Sequence, residues 1–476
     1  MKKTPSAGSI MLLVIVFGGI FFSMLGALSG FVLVGNRAQD ITRARGEALT
    51  IAEAGLEYYR WLLSHFPGDT QNHTGVAGPY VTSYADPENG TAGTYTLNVS
   101  ANTSCNIVQS MDVTSKGVST STPGVSATLV ARFAPPSVAS YSYIVGESVW
   151  AGSDRVINGP YHGNGGVRMD GSANAPVTSS LSTWNCTSSF GCSPTQSSAP
   201  GVVGNGTNQN LWDYPTPQID FAGIASNFAT LKTTANTSGT YLARYSTAAN
   251  PTRGYHLIFN SDGTVTVRKV NSTTALSVTP INPSDGSTDN ALINSETFYQ
   301  TVTPSANCGL IFVEDNLWIE GTIPSKLTIV AANVVTVGVV PDIVLKGSIQ
   351  YAAYDGTDGL TTISAGNILV APDAPTNMTL NGVFVAQGGA FGRNLYSCPG
   401  TYEPKGTLTI LGTTVSNLRT GTKWMNGCYD SSTRVYSDAG YQTRVDAFDR
   451  QNSTNPSPFT PTLSTQWQFI SWQQQY

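Results

Sequence analysis

The sequence predicts a long N-terminal helix, a small antiparallel sheet and a large mainly-β body. An uncharged apolar run at 10–34 continues into a segment with helical spacing. Beyond it come many short apolar or alternating runs, most of them ending in Gly or Asn. Charged residues make up only 11% of the 476-residue chain, against about 25% in ordinary soluble domains. This composition is typical of an exported β-rich protein with many turns.

The first predicted element is one continuous helix. A helix over the 25 residues of 10–34 spans about 37 Å, enough to cross a bilayer core of about 30 Å. No turn signal separates this transmembrane half from its amphipathic continuation at 35–66, so we expect one helix from near Ile10 to near Phe66, stopped by 67–69. Apolar residues recur along one face of the continuation at steps of three, four and seven, namely Ile41, Ala48, Ala52, Leu56, Tyr59 and Leu63.

The N-terminus combines a basic leader carrying Lys2 and Lys3, a Gly8-Ser9 junction, and the segment Ala-Glu-Ala-Gly-Leu at 52–56. In these features it resembles type IV pilins and pilin-like proteins, most closely the PilX-type minor pilins. The resemblance implies a prepilin-type leader, assigned to 1–9, that a prepilin peptidase cuts after Gly8, leaving Ser9 as the new N-terminus. It also implies an N-terminus inside the cytoplasmic membrane, a large domain outside, and contacts with other pilin-like subunits and the pilus assembly machinery.

One position departs from the pilin pattern. Major pilins carry a glutamate at the fifth mature position, which is Leu13 here. We therefore expect a minor, tip or stand-alone surface component rather than a subunit of a regular shaft. A plain N-terminal anchor with an uncut leader is the alternative, and Arg37, Arg43 and Arg45 behind the run leave the positive-inside rule ambiguous.

Residues 67–135 form the predicted small pilin-like sheet. Polar and apolar residues alternate at 93–99 and 126–133, and more loosely at 107–113, with Gly and Pro between the runs. These runs predict three or four antiparallel strands, and Pro135 ends the module. In pilins, the helix packs against a sheet of this kind.

From Tyr143 onward, short strand runs recur at roughly ten-residue spacing and close with Gly or Asn. This pattern predicts a right-handed parallel β-helix, in which inward Val, Ile and Leu stack from coil to coil. We place its first coils at 136–184 and its main body with the C-terminal tail at 306–476. An antiparallel sandwich is the rival, because hairpin signals such as Asn158-Gly159 and Asn381-Gly382 occur.

Residues 185–305 interrupt this series and predict an insertion or cap. Apolar spacing within 218–231 indicates a short amphipathic helix. A hairpin is expected from 255–259 and 264–268, turning about Asp262-Gly263.

The C-terminal half also resembles large exported pilus-associated proteins that have a pilin-like anchor and a β-helical body. The residues that carry this second resemblance lie at 309–319, 383–394, 405–410 and 468–472.

The cysteines suit an oxidising exterior. Cys186 and Cys192 flank a short loop, and Cys398 and Cys428 form a plausible second pair. Whether the remaining two meet stays open, because six cysteines allow 15 connectivities. A zinc site is disfavoured, since the sequence has no C-x-x-C and no histidine near a cysteine. The disulfide candidates are Cys105, Cys186, Cys192, Cys308, Cys398 and Cys428.

The sequence predicts no catalytic, cofactor or metal residues. A net charge of −5 without a basic stripe after Arg45 disfavours nucleic-acid binding. Asp262-Gly263 and the loop 355–359 offer oxygen ligands, but neither has calcium-loop spacing, so we interpret both as turns. A β-helix enzyme acting on polysaccharides would need clustered carboxylates; the candidates are Glu314, Asp315, Glu320, Asp342, Asp355, Asp358 and Asp373.

Aromatic residues in predicted loops indicate a binding surface for a surface protein or glycan. Capping the ends of the β-body is the equally weighted alternative. These residues are Trp150, Trp184, Trp212, Tyr214, Trp424, Trp467 and Trp472.

Together these features predict a membrane-anchored, non-catalytic surface protein of pilin-like type, structural or adhesive in role. A membrane-tethered polysaccharide-acting enzyme and a passive envelope or spacer protein are the alternatives.

Overall fold

The computed structural model of the chain describes residues 7–67, 69–86, 90–398 and 400–475. The predicted leader residues Lys2 and Lys3 lie outside the described residues, as does Gly68 of the predicted helix stop.

The described residues contain three α-helices and 32 strands. The helices are α1 (Ala7–His65), α2 (Phe228–Ser238) and α3 (Arg450–Thr454). The first strands are β1 (Tyr80–Asp86), β2 (Gly90–Ser104), β3 (Ile107–Ser119), β4 (Ser126–Ala134), β5 (Tyr143–Val145), β6 (Val149–Ala151), β7 (Arg155–Asn158), β8 (Tyr161–Gly163), β9 (Val167–Met169), β10 (Ser172–Ala173), β11 (Val177–Ser179), β12 (Thr183–Cys186), β13 (Gln196–Pro200), β14 (Val202–Val203), β15 (Trp212–Asp213) and β16 (Thr240–Leu242). The others are β17 (Gly254–Phe259), β18 (Val265–Thr279), β19 (Thr288–Val302), β20 (Leu310–Val313), β21 (Asn316–Ile323), β22 (Lys326–Ala331), β23 (Ile343–Tyr351), β24 (Gly359–Ser364), β25 (Ile368–Val370), β26 (Met378–Ala386), β27 (Phe391–Gly392), β28 (Leu395–Tyr396), β29 (Lys405–Ser416), β30 (Lys423–Asp430), β31 (Val435–Ala447) and β32 (Gln468–Gln475).

The chain divides into two compact units. The first contains the described parts of Met1–Ala101, Ser110–Ala134 and Trp467–Tyr476. The second contains Asn102–Gln109 and Pro135–Gln466.

Helix α1 dominates the first unit and confirms the predicted continuous helix. Its N-terminal half is apolar and exposed, and it is long enough and apolar enough to cross a membrane. The C-terminal half buries the predicted stripe from Ala48 to Leu63. The prediction is wrong for Ile41, which is 46% exposed, and Ala44 is buried in its place. The buried side of the helix therefore begins one turn later than the spacing predicts.

The sheet of the first unit has five strands, in the order β1-β2-β3-β4-β32. The pairs β1–β2, β3–β4 and β4–β32 are antiparallel. Strand β4 alternates strictly, burying Ala127, Leu129, Ala131 and Phe133. The fifth strand, β32, comes from the other end of the chain.

Parallel pairing dominates the second unit. One ladder runs through β16, β20, β22, β24, β26, β29, β5, β8, β11 and β15, with each strand parallel to the next. Equivalent positions stack along it and share one buried cluster, as the column Phe312, Val330, Ile363, Val385, Val415 and Ile144 shows. Burial on both faces explains why these strands read as continuous apolar runs.

A second parallel ladder runs through β17, β21, β23, β26, β29, β31, β7 and β10. Its residues Leu257, Ile319 and Leu345 stack in register and belong to the largest apolar cluster. In the first ladder β5 follows β29, and in the second ladder β7 follows β31, so strands that begin at residue 143 or later stack beyond strands near residues 410 and 440. The first strand of the second unit after Pro135, β5, therefore lies inside the first ladder and not at its end.

Residues 185–305 differ in part from the predicted insertion. The hairpin of β17 and β18 is confirmed, but β16 and β17 also join the two parallel ladders. The helix predicted within 218–231 begins later than expected, at Phe228 of α2. The Asn227 side chain caps it there by accepting a hydrogen bond from the Thr230 N–H at 3.1 Å. Asp220 instead accepts from the Ala222 N–H in a turn.

Candidate functional site

The second unit contains an acidic pocket of about 310 Å³. Strands β19, β21, β23 and β25 contribute residues to its lining. Among the described residues, no Lys, Arg or His lines it. The lining residues are Pro251, Thr252, Asp285, Gly286, Thr288, Asp289, Asn290, Ala291, Asn316, Trp318, Asp342, Val344, Leu369 and Asn394.

Asp342 lies at the entrance of β23, fixed by amides on both sides. Its Oδ1 accepts hydrogen bonds from the Asn367 backbone N–H at 2.6 Å and from Asn367 Nδ2 at 3.2 Å. Its own N–H donates to Asn316 Oδ1 at 3.3 Å. Burial of the carboxyl, helped by the charges of Asp285 and Asp289, raises the pKa of Asp342 to about 7 against the lowering effect of the Asn367 hydrogen bonds.

The other two carboxylates come from the loop before β19 and from β19 itself. Asp285 accepts from Asn367 Nδ2 at 3.0 Å. Burial of its carboxyl raises the pKa of Asp285, although the residue as a whole is exposed. Asp289 is buried and accepts from Asn394 Nδ2 at 2.9 Å and from the Tyr396 hydroxyl at 2.6 Å. Asn367 therefore bridges two of the three acids.

This arrangement has two chemical capacities. Carboxylates and amides beside the apolar side chains of Val344 and Leu369 are suited to a polyhydroxylated or cationic ligand. A carboxyl group whose pKa lies near 7 also exchanges a proton close to neutral pH, as general acids do. Perturbed carboxyl groups in a cleft mark candidate functional sites.

Only one of the seven predicted acidic candidates, Asp342, lines the pocket. Glu314 instead binds Lys232 Nζ at 2.8 Å and the Tyr241 hydroxyl. Asp315 accepts from two backbone N–H groups, at Tyr245 and Ser246.

The remaining candidates also have structural partners. Glu320 lies 3.2 Å from His256 Nε2, which lowers the pKa of Glu320. Asp373 pairs with Lys346 at 2.8 Å. Asp358 accepts from the Ala353 N–H.

Sequence reasoning missed Asp285 and Asp289. Both follow Asn-Pro-Ser at 282–284 and read as turn residues. Their partners Asn367 and Asn394 lie about 80 to 100 residues further along the chain. Local residue spacing therefore does not predict these hydrogen bonds.

The two loops considered for calcium are closed by their own side chains. Asp262 accepts from the N–H and hydroxyl of Thr264, and Asp355 does the same with Thr357. In the part of the chain that the structure describes, no group of three or more His, Cys, Asp or Glu side chains is arranged to hold a metal ion.

All six cysteines form disulfides. The bonds join Cys105 to Cys308, Cys186 to Cys192, and Cys398 to Cys428. The first closes 203 residues of sequence separation, a link that sequence reasoning left open.

Most of the aromatic residues assigned to a binding surface are not exposed. Trp184 is buried, and its indole N–H donates to the Pro200 carbonyl at 2.9 Å. Among the seven, Tyr214 and Trp472 are exposed. The alternation of β12 around Trp184 is the signal that was overlooked. Other exposed rings belong to Phe298, Tyr299, Tyr354, Tyr429 and Tyr436.

Gly8 and Ser9 of the predicted processing junction lie near the N-terminal end of α1. This position is where the chain enters the helix that could span a membrane.

Comparison with known proteins finds similarity to solved structures only. No family model and no curated protein matches the chain. A solved structure similar to it is the competence-associated pilin ComZ from Thermus thermophilus, aligned over 91% of this chain and 97% of that one. The TM-score is 0.29 and the sequence identity is 13%. A likeness at this level leaves the functional assignment to the chain's own sequence and geometry.

Proposed function

We propose that the chain is a membrane-anchored, pilin-like cell-surface protein of the PilX type, structural or adhesive in role and without catalytic activity. The main support for this proposal is that α1 consists of two different halves. The apolar half is exposed along its length, while the other half buries Ala48, Ala52 and Leu56. An exposed apolar helix of this length needs a bilayer or apolar partner helices around it.

The proposal extends to orientation and partners. The N-terminus would lie inside the cytoplasmic membrane and both units outside it, where the disulfides suit an oxidising environment. A prepilin peptidase would cut between Gly8 and Ser9, and other pilin-like subunits would contact the exposed half of the helix.

We also propose that the parallel ladders of the second unit are coils of a right-handed parallel β-helix. Ten strands in continuous parallel register, with stacked Val, Ile and Phe, support this assignment. A stiff stack of coils provides a surface for repeated weak contacts rather than for turnover.

The test compares two matched pairs of charge substitutions in α1. Phe22→Asp with Leu25→Asp places two charges in the apolar half, at about 2.5–3.5 kcal/mol each. Thr42→Asp with Thr50→Asp places the same charges on exposed positions of the other half. We expect only the first variant to leave the membrane fraction and the sheared surface-filament fraction. Equal retention of both variants would contradict the anchor, and retention in the membrane without any filament signal would contradict the pilus assignment.

The acidic pocket favours a second candidate function, a membrane-tethered protein that acts on polysaccharides. Asp342, whose pKa lies at about 7, would donate the proton, and Asp289 would be the second carboxylate. The test is release of reducing ends from bacterial surface polysaccharides by the wild type and by Asp342→Asn. Activity lost in Asp342→Asn but kept in Asp373→Asn supports this function, and no release by the wild type contradicts it.

A further inference from the structure

The C-terminal strand β32 is attached to the first unit through its backbone. It pairs antiparallel with β4 from Gln468 opposite Ala134 to Gln475 opposite Thr128, with one register shift between Phe469 and Ser471. None of its residues is buried, and Trp472 is 59% exposed. Its neighbour β4, by contrast, buries every second side chain. The strand therefore contributes ladder hydrogen bonds and little apolar core.

One side-chain contact stands out along β32. The Phe469 ring lies 4.6 Å from the Phe133 ring, and the Arg60 guanidinium lies 5.9 Å from the Phe469 ring centre. Among the described residues, no other ring contact and no ion pair involves β32. Detachment would therefore remove one ring contact with the core, that of Phe469 with the buried Phe133.

Detachment would, however, expose the edge of β4. Strand β4 lies between β3 and β32, so loss of β32 leaves a row of unpaired N–H and C=O groups. Such an edge accepts another strand of suitable sequence. Natural edge strands use charged side chains and proline to block strand addition. The segment 468–475 contains neither.

The connection to β32 is short. The Leu463 N–H donates to the Pro136 carbonyl at 2.7 Å within the second unit, and β32 begins at Gln468. Only residues 464–467 lie between. Short connections of this kind favour exchange of a terminal element between copies of a chain.

We propose that β32 is an exchangeable strand, and that the tail of one copy pairs with β4 of a second copy. The occupant is defined by the structure itself, because the position beside β4 already holds this same sequence. The proposal goes beyond the membrane anchor and depends neither on leader cleavage nor on a pilus. It identifies a second copy of this chain as a partner.

The test uses a thiol pair across the two strands. Val130 lies opposite Gln473, and Cβ atoms of directly opposed residues are about 4.5–5.5 Å apart. Val130→Cys and Gln473→Cys are introduced on separate full-length chains with different tags and co-expressed in an oxidising compartment. A short bismaleimide is added in a parallel sample. We expect a heterodimer that carries both tags, with the 130–473 link identified by peptide mass.

Two controls make the result decisive. Val81→Cys replaces Val130→Cys on the opposite edge strand β1, where Val81 is exposed; we expect at least tenfold less heterodimer. Val130→Cys and Gln473→Cys on one chain test the pairing itself. A link formed only within that single chain, with no heterodimer from the separate chains, would overturn the exchange. A stronger link to Val81→Cys would show that edges of different sheets meet, and would overturn it as well.

Discussion

At the scale of single residues, glycine permits the helix to lie directly on the sheet of the first unit. A Cβ atom on Gly117 would lie 2.1 Å from the Ala48 carbonyl oxygen and 2.6 Å from the Ala52 nitrogen. Both atoms belong to the backbone of α1, which cannot move aside locally. Small residues on both surfaces thus bring helix and strand together.

We therefore predict that Gly117→Ala destabilises the first unit by about 1–3 kcal/mol, because the helix must shift outward. The matched control is Gly124→Ala, where a Cβ meets no atom within 4 Å and the change stays within about 0.5 kcal/mol. Thermal unfolding of both variants in detergent measures the difference. Equal midpoints would contradict the close packing.

Asp342 gives a second prediction at this scale, on pH. Its pKa is about 7 in the folded chain and about 3.9 when unfolded. Between these values the folded chain keeps a proton that the unfolded chain has lost, so stability falls as the pH rises. Asp342→Asn cannot ionise. We expect its stability relative to the wild type to improve by at least about 1 kcal/mol between pH 4 and pH 8.

Denaturant unfolding at pH 4, 6 and 8 checks this expectation. Asp262→Asn is the control, because hydrogen bonds from Thr264 lower the pKa of Asp262. Its carboxylate favours folding at high pH, and that contribution is lost as the pH falls, so the control shows no gain at pH 8. A pH-independent difference for Asp342→Asn would contradict the burial of its charged form.

At the scale of elements, local pattern predicted much of the secondary structure. The length of α1, its stop near Phe66 and most strands from 309 onward follow from apolar run length and spacing. The start of α2 did not, because the amphipathic spacing at 221–231 extends across Asn227, whose capping preference sets where the helix begins. The prediction of a loop at Trp184 was wrong, because the strand that contains it is only four residues long.

The order of the strands in the sheets could not be predicted from the sequence. Strand β5 pairs with β29 across about 270 residues, and β32 pairs with β4 across about 340. Both pairings depend on which strand edges remain unpaired after the rest of the chain has folded. The periodicity of a single sequence does not contain that information. The same reason hid the pocket, whose acids and amides come from strands distant in sequence.

At the scale of the whole molecule, one disulfide joins parts of the second unit that are distant in sequence. Cys105–Cys308 spans 203 residues of sequence, whereas Cys186–Cys192 spans 6. In the chain-entropy description, closing the longer loop stabilises by about 5 kcal/mol and the shorter by about 2 kcal/mol. We predict that Cys105→Ser with Cys308→Ser lowers the unfolding midpoint more than Cys186→Ser with Cys192→Ser does. The reverse order in thermal unfolding would contradict this.

The central claim is that the chain is a pilin-like protein whose helix enters the membrane after a processed leader. N-terminal sequencing of the protein recovered from the cell surface tests it most directly. Our account predicts a mature chain that begins at Ser9. A chain that begins at Met1 would contradict prepilin-type processing, and would leave a plain membrane-anchored β-rich protein.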